Sequence, residues 1–295
     1  MTRFGSVNLA AFSRAVRGHR RWMVQAGLWG VVLAMAPAWG RAQGVVPRFE
    51  VKNYVIDAQL LTSQHLLSAK ARVDIVPNSD ITTLAFELHS NLRVEKVVDT
   101  TGQEVAFKQE GQALNLSLLN PLTAGKPASI TVTYGGMLNS ADGSPVEGIK
   151  VAYVGPEGSY LLYPGRWFPV SAYGVNRFSA TMNITVPSDE TVIASGKVGA
   201  PVREPGKVTY TYDFANSSFP GTVMAGHYVV QPATAVGADI ALYLKPGHEN
   251  LAASYGDTAA RILAFIAMCS VRCPVLTWPL LRSVTIRWGD IRPPA

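Results

Sequence analysis

The chain has 295 residues, of which 48% are hydrophobic and 16% charged. This balance excludes a disordered tail or a coiled coil and suffices for one large or two modest domains. The net charge of +6 arises at the start, since residues 1–43 hold six arginines and no acidic residue, which leaves 20 basic against 20 acidic residues in the remainder. Binding to nucleic acid needs a clustered basic face, so we expect no nucleic-acid partner.

The first 43 residues have the layout of a cleavable export signal. Basic residues precede an apolar run from Trp22 to Trp39 that only Gln25 interrupts, and small residues lie at its end. Cleavage would leave the protein in the periplasm or outside the cell. The alternative is an uncleaved anchor formed by residues 22–39, because this run approaches the roughly 20 residues that span hydrocarbon. Only in that case do we expect contact with a membrane.

Residues 54–245 alternate between apolar and polar positions. This period of two places one face of a strand on a core and the other in water. Turn-forming Pro, Gly, Asn and Asp separate the alternating segments. We therefore predict an all-β domain over residues 44–247, built as an antiparallel β-sandwich or saddle. Its clearest strands carry these apolar residues: Ile130, Val132, Tyr134; Ala180, Met182, Ile184, Val186; Val208, Tyr210, Tyr212 and Phe214.

Two segments depart from this alternation. Residues 137–158 are rich in Gly and Pro without a sustained period, which predicts a long loop or a joint between two sheets. After residue 247 the apolar spacing becomes helical, so we predict one helix over residues 248–265, with Asn250 as its N-terminal cap and an i, i+4 pair between Asp257 and Arg261. Its apolar stripe is Leu251, Tyr255, Ala259, Ile262 and Ile266.

A short aromatic motif and the strands after it are similar to a known family. The motif is Tyr163-Pro164-Gly165-Arg166-Trp167-Phe168-Pro169; a predicted strand over 177–187 follows, and then Thr-Val-Ile-Ala-Ser-Gly at 191–196. This order resembles the N-terminal saddle domain of the aminopeptidase N family of zinc metallopeptidases (gluzincins), over roughly residues 50–265. The resemblance implies a β saddle ahead of a thermolysin-like catalytic domain. The chain departs from the family at 170–174, Val-Ser-Ala-Tyr-Gly, where many members carry Asp-Glu-Pro.

We call residues 163–169 the landmark segment. The resemblance makes Tyr163, Arg166, Trp167, Phe168 and Pro169 candidates for an interface with the domain that should follow. Core packing is the preferred interpretation for Trp167 and Phe168, because aromatic side chains bury large areas, and a ligand platform is the alternative. Arg166 is expected to pair with a buried carboxylate or with the following domain.

The sequence does not contain the motif with which the family holds zinc. Two His at i, i+4 on a helix bind the metal and the Glu between them activates water, but no two His of this chain stand four apart. His248-Glu249 begins such a motif, and Ala252 then occupies the position of the second His. The Gly-Ala-Met-Glu-Asn segment that grips the substrate N-terminus in the family has only a superficial echo at 223–227.

A zinc site assembled from the distant His65, His89 and His227 is left open by spacing alone. An isolated His in a β domain is, however, usually on the surface or satisfied in the core. We therefore name no metal ligand and no catalytic residue, and expect no cofactor in this chain, while zinc belongs to the full-length family.

Residues 266–295 differ in composition from the body of the chain. They contain Cys269 and Cys273, the only cysteines, together with four Arg and four Pro, but neither Lys nor Glu. We hypothesise a reading-frame shift near codon 265 that replaces the start of the catalytic domain. The alternative is a genuine extension in which Val284, Ile286 and Trp288 form a final strand. With two cysteines, an exported domain would be held by its core rather than by disulfides.

Two functions follow from these observations. The first is the non-catalytic N-terminal part of an exported aminopeptidase-like protein, which walls one side of a peptide-binding cleft and has the catalytic domain and peptides as partners. The alternative is a self-sufficient β-sandwich module for glycans or cell-envelope polymers, using Tyr153, Tyr160, Tyr163 and Tyr173 as exposed aromatics. A free-standing metallohydrolase is the least favoured class. The resemblance favours the first function.

Overall fold

A computed structural model describes residues 47–140, 147–235 and 238–272. The predicted export leader at 1–43, its anchor alternative at 22–39 and the segment after Arg272, with its predicted strand, lie outside the described residues. The side chain of Cys269 is also not described. Within the described ranges, no helix is both long and apolar enough to cross a membrane.

The described ranges contain seventeen strands and one long helix, joined by turns and three short 3-10 segments. The strands are β1 (Phe49–Leu61), β2 (Leu66–Pro77), β3 (Ile81–Glu87), β4 (Leu92–Val98), β5 (Ala106–Glu110), β6 (Ala113–Leu122), β7 (Ala128–Met137), β8 (Ala152–Tyr153), β9 (Ser159–Leu161), β10 (Phe178–Pro187), β11 (Thr191–Ala194), β12 (Lys197–Val198), β13 (Val202–Glu204), β14 (Lys207–Ser218), β15 (Val223–Gly226), β16 (Val229–Ala235) and β17 (Ala238–Leu244). The helix α1 spans Ala252–Arg272. The prediction of an all-β fold with a single helix is confirmed.

The largest sheet has eight strands, in the order β12-β14-β10-β1-β2-β7-β4, with β13 also on β14. Its strands alternate as predicted: along β10, every second residue from Phe178 to Val186 is buried and the residues between are only partly buried. One pairing differs from the predicted antiparallel arrangement, because β1 and β10 run parallel from Asn53 with Ser179 to Gln59 with Thr185. The chain between β1 and β10 includes β2 to β9, and parallel neighbours require such a long connection.

Two smaller sheets complete the β domain, with strand orders β3-β6-β5 and β11-β15-β9-β8. A single hydrophobic core takes side chains from all three sheets. Phe49 of β1 meets Phe86 of β3 with ring centroids 5.6 Å apart, while Leu161 of β9 and Val223 of β15 are fully buried in the same core. The strand pattern of the sequence is therefore explained by burial of one face of each sheet.

The segment predicted as a loop or joint, residues 137–158, holds some regular structure. Leu138 donates its backbone N–H to the carbonyl of His65, and Val154 donates to the carbonyl of Leu138. The short strand β8 lies near its end and pairs with β9. Two residues form too short a strand for a period to be recognised in the sequence. Residues 141–146 of this segment lie outside the described ranges.

The helix begins and ends later than predicted. A 3-10 turn spans Glu249–Leu251 and precedes α1, and His248 at its N-cap makes no side-chain capping hydrogen bond. Asn250 therefore lies inside the turn and does not cap the helix. The helix also continues past Phe265 to Arg272, so its observed end does not coincide with the change in composition at residue 266.

The buried face of α1 matches the predicted stripe in part, because Ala259 is buried and Tyr255 packs against the same cluster. Ala259 and Leu263 pack on Ile240, Leu242 and Leu244 of β17, in a second hydrophobic cluster separate from the main core. A two-stranded hairpin is narrow, so it covers only one side of the helix. The predicted stripe residues Ile262 and Ile266 remain 45% and 46% exposed.

The predicted charge pair on α1 is also not formed. In the described part of the chain, Arg261 donates to Thr258 Oγ1 at 3.5 Å rather than pairing with Asp257. The side chains of Asp257 and Arg261 lie on the solvent side of the helix, where an i, i+4 ion pair adds only about 0.3–0.5 kcal/mol. The absence of this ion pair therefore has little effect on the stability of the helix.

Candidate functional site

The landmark segment is anchored to the end of β3 by backbone hydrogen bonds. A 3-10 turn spans Tyr163–Gly165, and Arg166 follows in a left-handed conformation with φ of 50°. Glu87 and Val170 exchange N–H to carbonyl hydrogen bonds of 2.7 and 2.9 Å, and His89 donates its backbone N–H to the carbonyl of Arg166 at 2.8 Å. The middle of the segment and the residue that follows it are thus tied to the end of β3 and to the chain just after β3, which limits where the side chains between them point.

Trp167 and Phe168 enter the centre of the main core, and both are fully buried. The Phe168 ring lies edge-on to the rings of Trp167 and Tyr54, at centroid distances of 5.0 and 5.1 Å. Such edge-to-face arrangements are the favourable ones for aromatic pairs. The core-packing interpretation of Trp167 and Phe168 is confirmed, and neither ring can serve as an exposed ligand platform.

Two polar atoms of this aromatic cluster are satisfied by backbone carbonyls. The indole N–H of Trp167 donates to the carbonyl of Gly221 at 2.7 Å, and the hydroxyl of Tyr54 donates to the carbonyl of Pro169 at 2.8 Å. Gly221 has φ of 128°, and a Cβ at that position would come within 2.8 Å of the Phe168 ring. Only glycine brings its carbonyl this close to the indole without displacing the ring.

Arg166 lies at the edge of the cluster. Its guanidinium forms an ion pair with Glu87 and lies 4.7 Å from the ring centroid of Tyr173, which stacks on Tyr163 at 5.1 Å. The carboxylate of Glu87 is 40% exposed, so the expected buried carboxylate is instead partly in water. Water at the Glu87 carboxylate screens this part-buried pair, so its contribution to stability is reduced. The interface role of the landmark segment stays a prediction, and Arg166 and Tyr173 are the residues near the surface that it would use.

The four tyrosines of the glycan hypothesis do not form one platform. Tyr163 is only 8% exposed, and burial raises its pKa to about 12. Tyr173 is beside Arg166, whereas Tyr153 and Tyr160 stack on each other at 5.5 Å with an interplanar angle of 28°. This second pair lines a surface pocket of about 460 Å³.

The histidines named as candidate zinc ligands are held in separate places. His65 Nδ1 lies 2.7 Å from the carbonyl oxygen of Val154, His89 is buried and accepts the N–H of Asn91 at 3.1 Å, and His227 Nε2 contacts Asp189 at 2.9 Å. In the ranges that the structure describes, no group of three or more His, Cys, Asp or Glu is placed to hold a metal ion. His65, His89 and His227 are therefore not brought together as one group of ligands within those ranges.

Sequence reasoning missed a buried carboxylate at Glu190, which is 5% exposed. Thr62 Oγ1 donates to one of its oxygens at 2.7 Å, and the other oxygen is buried with no hydrogen-bond partner in the described part of the chain. Burial raises the pKa of Glu190. The neighbouring Asp189 is exposed, and its hydrogen bond with His227 lowers its pKa. Both acids follow a Pro-Ser pair typical of an exposed turn, so no local pattern indicated that Glu190 is buried.

Comparisons with known proteins identify this architecture. No protein-family model matches the sequence, and no curated protein matches it either. Solved structures do match: an M1 zinc metallopeptidase from Deinococcus radiodurans, in a mutant form bound to a Tyr-Ser-Ala substrate, has a TM-score of 0.57 and 18% identity. The same protein without that substrate has a TM-score of 0.57 and 17% identity. A two-domain M1 zinc metallopeptidase bound to L-tryptophan has a TM-score of 0.55 and 17% identity.

Each match covers 68% of this chain and 48% of the matched chain, so this chain spans about half the length of these metallopeptidases. The part it matches is their N-terminal region. The fold expected from the landmark segment is therefore confirmed, because the fold of this chain matches the N-terminal region of these M1 zinc metallopeptidases.

The two buried tyrosines predict opposite effects of removing a hydroxyl. Tyr54→Phe deletes the hydrogen bond to the Pro169 carbonyl, so we expect the free energy of unfolding to fall by about 1 kcal/mol. Tyr134 is equally buried, but its hydroxyl has no hydrogen-bond partner among the described residues. Tyr134→Phe should therefore leave stability unchanged or raise it. Urea unfolding of both variants measures the difference, and equal losses would contradict the assignment of the Tyr54 hydrogen bond.

The buried carboxylate predicts a pH-dependent effect of Glu190→Gln. Because the folded-state pKa is raised, the contribution of Glu190 to stability is present below the unfolded value of 4.5 and is lost as pH rises through the folded pKa. We expect the variant to gain in Tm relative to wild type at pH 7 and to lose this gain at pH 4.

Asp189→Asn is the matched control of opposite sign. Its lowered pKa means that Asp189 stabilises the fold above its unfolded pKa and ceases to do so as pH falls through the folded pKa. Thermal unfolding should therefore show a loss in Tm for Asp189→Asn at pH 7 and at pH 4, which both lie above the unfolded value of 3.8, and this loss should disappear only as pH falls below the folded pKa. A pH-independent effect of both substitutions would show that neither carboxyl titrates differently on folding.

Proposed function

We propose that this chain is the non-catalytic N-terminal part of an exported aminopeptidase-like zinc metallopeptidase. The observation that carries the proposal is the match of its three-sheet core to the N-terminal region of M1 zinc metallopeptidases. The landmark segment supports it, since it lies at the centre of that core. In this proposal the β domain forms a wall beside a peptide cleft, and a catalytic domain supplies zinc and the water-activating Glu.

The chemistry of the described residues agrees with a supporting role. The buried polar groups of the landmark segment hold backbone carbonyls, and the three candidate histidines are tied to separate partners. Such an arrangement supplies rigidity and shape. It does not supply the paired acid and base, or the open metal site, that peptide hydrolysis requires.

The hairpin β16–β17 and α1 support the presence of a second domain. Together they have their own hydrophobic cluster, which among the described side chains contains the buried residues Ile240, Leu242, Leu244, Ala259 and Leu263. A cluster of this size is too small to stabilise an independent domain. We propose that it is the first part of the catalytic domain, which would complete the core.

The outer face of α1 supplies the surface on which that domain would pack. Four large apolar side chains lie exposed on it: Ile262, Phe265, Ile266 and Met268, at 45%, 62%, 46% and 53% exposure. Soluble proteins rarely leave such a patch uncovered, and contiguous exposed apolar surface marks an interaction site. We call this surface the α1 outer face.

The first test is the metal content and activity of the purified chain. We expect no stoichiometric zinc and no hydrolysis of aminoacyl p-nitroanilides, with the Deinococcus radiodurans M1 metallopeptidase as the positive control. Zinc is measured by mass spectrometry and hydrolysis by absorbance. Stoichiometric zinc together with chelator-sensitive hydrolysis would overturn the proposal.

The second test is self-association through the α1 outer face. Because the α1 outer face exposes four large apolar side chains, we expect the purified chain to associate in a concentration-dependent manner. The double substitution Ile262→Gln and Phe265→Gln should shift the protein towards monomer, because it removes apolar area from the interface. Sedimentation velocity measures the change.

Val202→Gln is the control for that test, because Val202 is 60% exposed on the edge strand β13. It should leave the association unchanged. A wild-type chain that stays monomeric at high concentration, without binding a hydrophobic dye, would contradict an uncovered domain interface on α1.

A further inference from the structure

We propose that the β8–β9 hairpin and its neighbours form a binding site for a small organic anion, a carboxylate carried on a flat or apolar body. The site is the surface pocket of about 460 Å³ lined by Lys150, Tyr153, Glu157, Tyr160, Met224 and Lys245, which we call the hairpin pocket. This inference is independent of the proposed function, since it rests on the pocket alone.

The floor of the hairpin pocket is a row of side chains across one sheet. Tyr153 of β8 lies opposite Tyr160 of β9, and Tyr160 lies opposite Met224 of β15. Directly opposed residues in antiparallel strands project from the same face. The next residues along β9 and β15, Leu161 and Val223, point the other way and are fully buried. The inner face thus belongs to the core, and the outer face presents two phenol rings and a thioether.

The hairpin that carries these rings is held in shape before any ligand binds. Gly155 donates its N–H to Ser159 Oγ at 3.1 Å, and Gly158 donates to the carbonyl of Gly155 at 3.1 Å. Ser159 is 1% exposed, and Gly158 has φ of 130°, which favours glycine. His65 fixes the start of the turn through the Val154 carbonyl. A site ordered in advance loses less entropy on binding.

The charge of the hairpin pocket favours an anion. Lys150 and Lys245 line the pocket together with the carboxylate of Glu157, and because Lys245 already makes an interaction of its own, the ammonium offered to a ligand is first that of Lys150. The Lys150 ammonium lies 4.5 Å from the ring centroid of Tyr153, and in the described part of the chain it has no ion pair with a carboxylate. An ammonium held over a ring keeps its charge for an incoming carboxylate while the ring fixes its position.

The remaining surface of the hairpin pocket selects the body of the ligand. The stacked pair of Tyr153 and Tyr160 offers a flat aromatic surface, and Leu162 and Met224 add apolar contact. The volume lies within the range of about 300–1,000 Å³ usual for small-molecule sites. Two sources carry this chemistry, the C-terminal carboxylate of a short peptide and an acidic sugar.

The test measures the binding of matched acids and neutral analogues to the purified chain by NMR or calorimetric titration. N-acetyltyrosine is compared with N-acetyltyrosinamide, and glucuronate with methyl glucoside. We expect at least one acid to bind about threefold or more tightly than its neutral analogue, a difference that added salt reduces. The pair that shows the difference identifies the source of the carboxylate.

Variants locate the binding. Lys150→Gln and Lys245→Gln should each weaken binding of the acid about threefold and leave the neutral analogue unaffected, while Tyr160→Leu should weaken both. Lys108→Gln is the control, because Lys108 is exposed on β5 and pairs with Glu110. Thermal unfolding of each variant checks that it is folded.

Three results would overturn the inference. They are no binding of either acid, equal binding of acids and neutral analogues, and binding that both lysine substitutions leave unchanged. Tighter binding of methyl glucoside than of glucuronate would also overturn it, and would instead support a site for uncharged glycans.

Discussion

Two hydrogen bonds from aromatic side chains to backbone carbonyls hold the centre of this molecule. Tyr54 of the large sheet bonds to Pro169, and Trp167 bonds to Gly221 just before β15. A polar atom buried without a partner is costly, so these bonds allow only one placement of the landmark segment between the sheets. The backbone hydrogen bonds between Glu87 of β3 and Val170 attach the third sheet directly after the landmark segment. Three sheets are thereby fixed relative to one segment.

Sequence reasoning predicted the parts of the fold that depend on local alternation or on a short motif. The period of two places Ile130, Val132 and Tyr134 on the buried face of β7, where they are at most 1% exposed. The aromatic motif correctly indicated both core packing at Trp167 and the saddle fold. These features are readable because each strand has one face on the core, and because large aromatic side chains have few alternatives to burial.

The features that sequence reasoning missed depend on contacts between distant segments. Burial of Glu190 depends on Thr62, which is 128 residues away, and no local pattern contains that information. The face of α1 that is buried depends on the width of the β16–β17 hairpin on which the helix packs. Helical spacing alone therefore could not indicate that Leu263 is buried and Ile262 is exposed. The pairing of Tyr153 with Tyr160 lies in a segment without a period. The pair Tyr163–Tyr173 and the pair Tyr153–Tyr160 could therefore not be distinguished in the sequence. In the structure the first pair lies beside Arg166 and the second lines the hairpin pocket.

The parallel pairing of β1 with β10 has a consequence for how this protein acquires its structure. Asn53 meets Ser179, 126 residues later, so the middle of the large sheet closes only after a long stretch of chain has been brought back. The hairpin of β1 and β2 can form early because it is local. The pairing of β1 with β10 joins strands that are distant in the sequence, and such pairing slows folding. A chain delivered from its N-terminus would expose one edge of β1 until β10 emerges. Exposed strand edges of this kind invite mispairing with other chains, which makes the interval before β10 arrives the most vulnerable stage in the biogenesis of the domain.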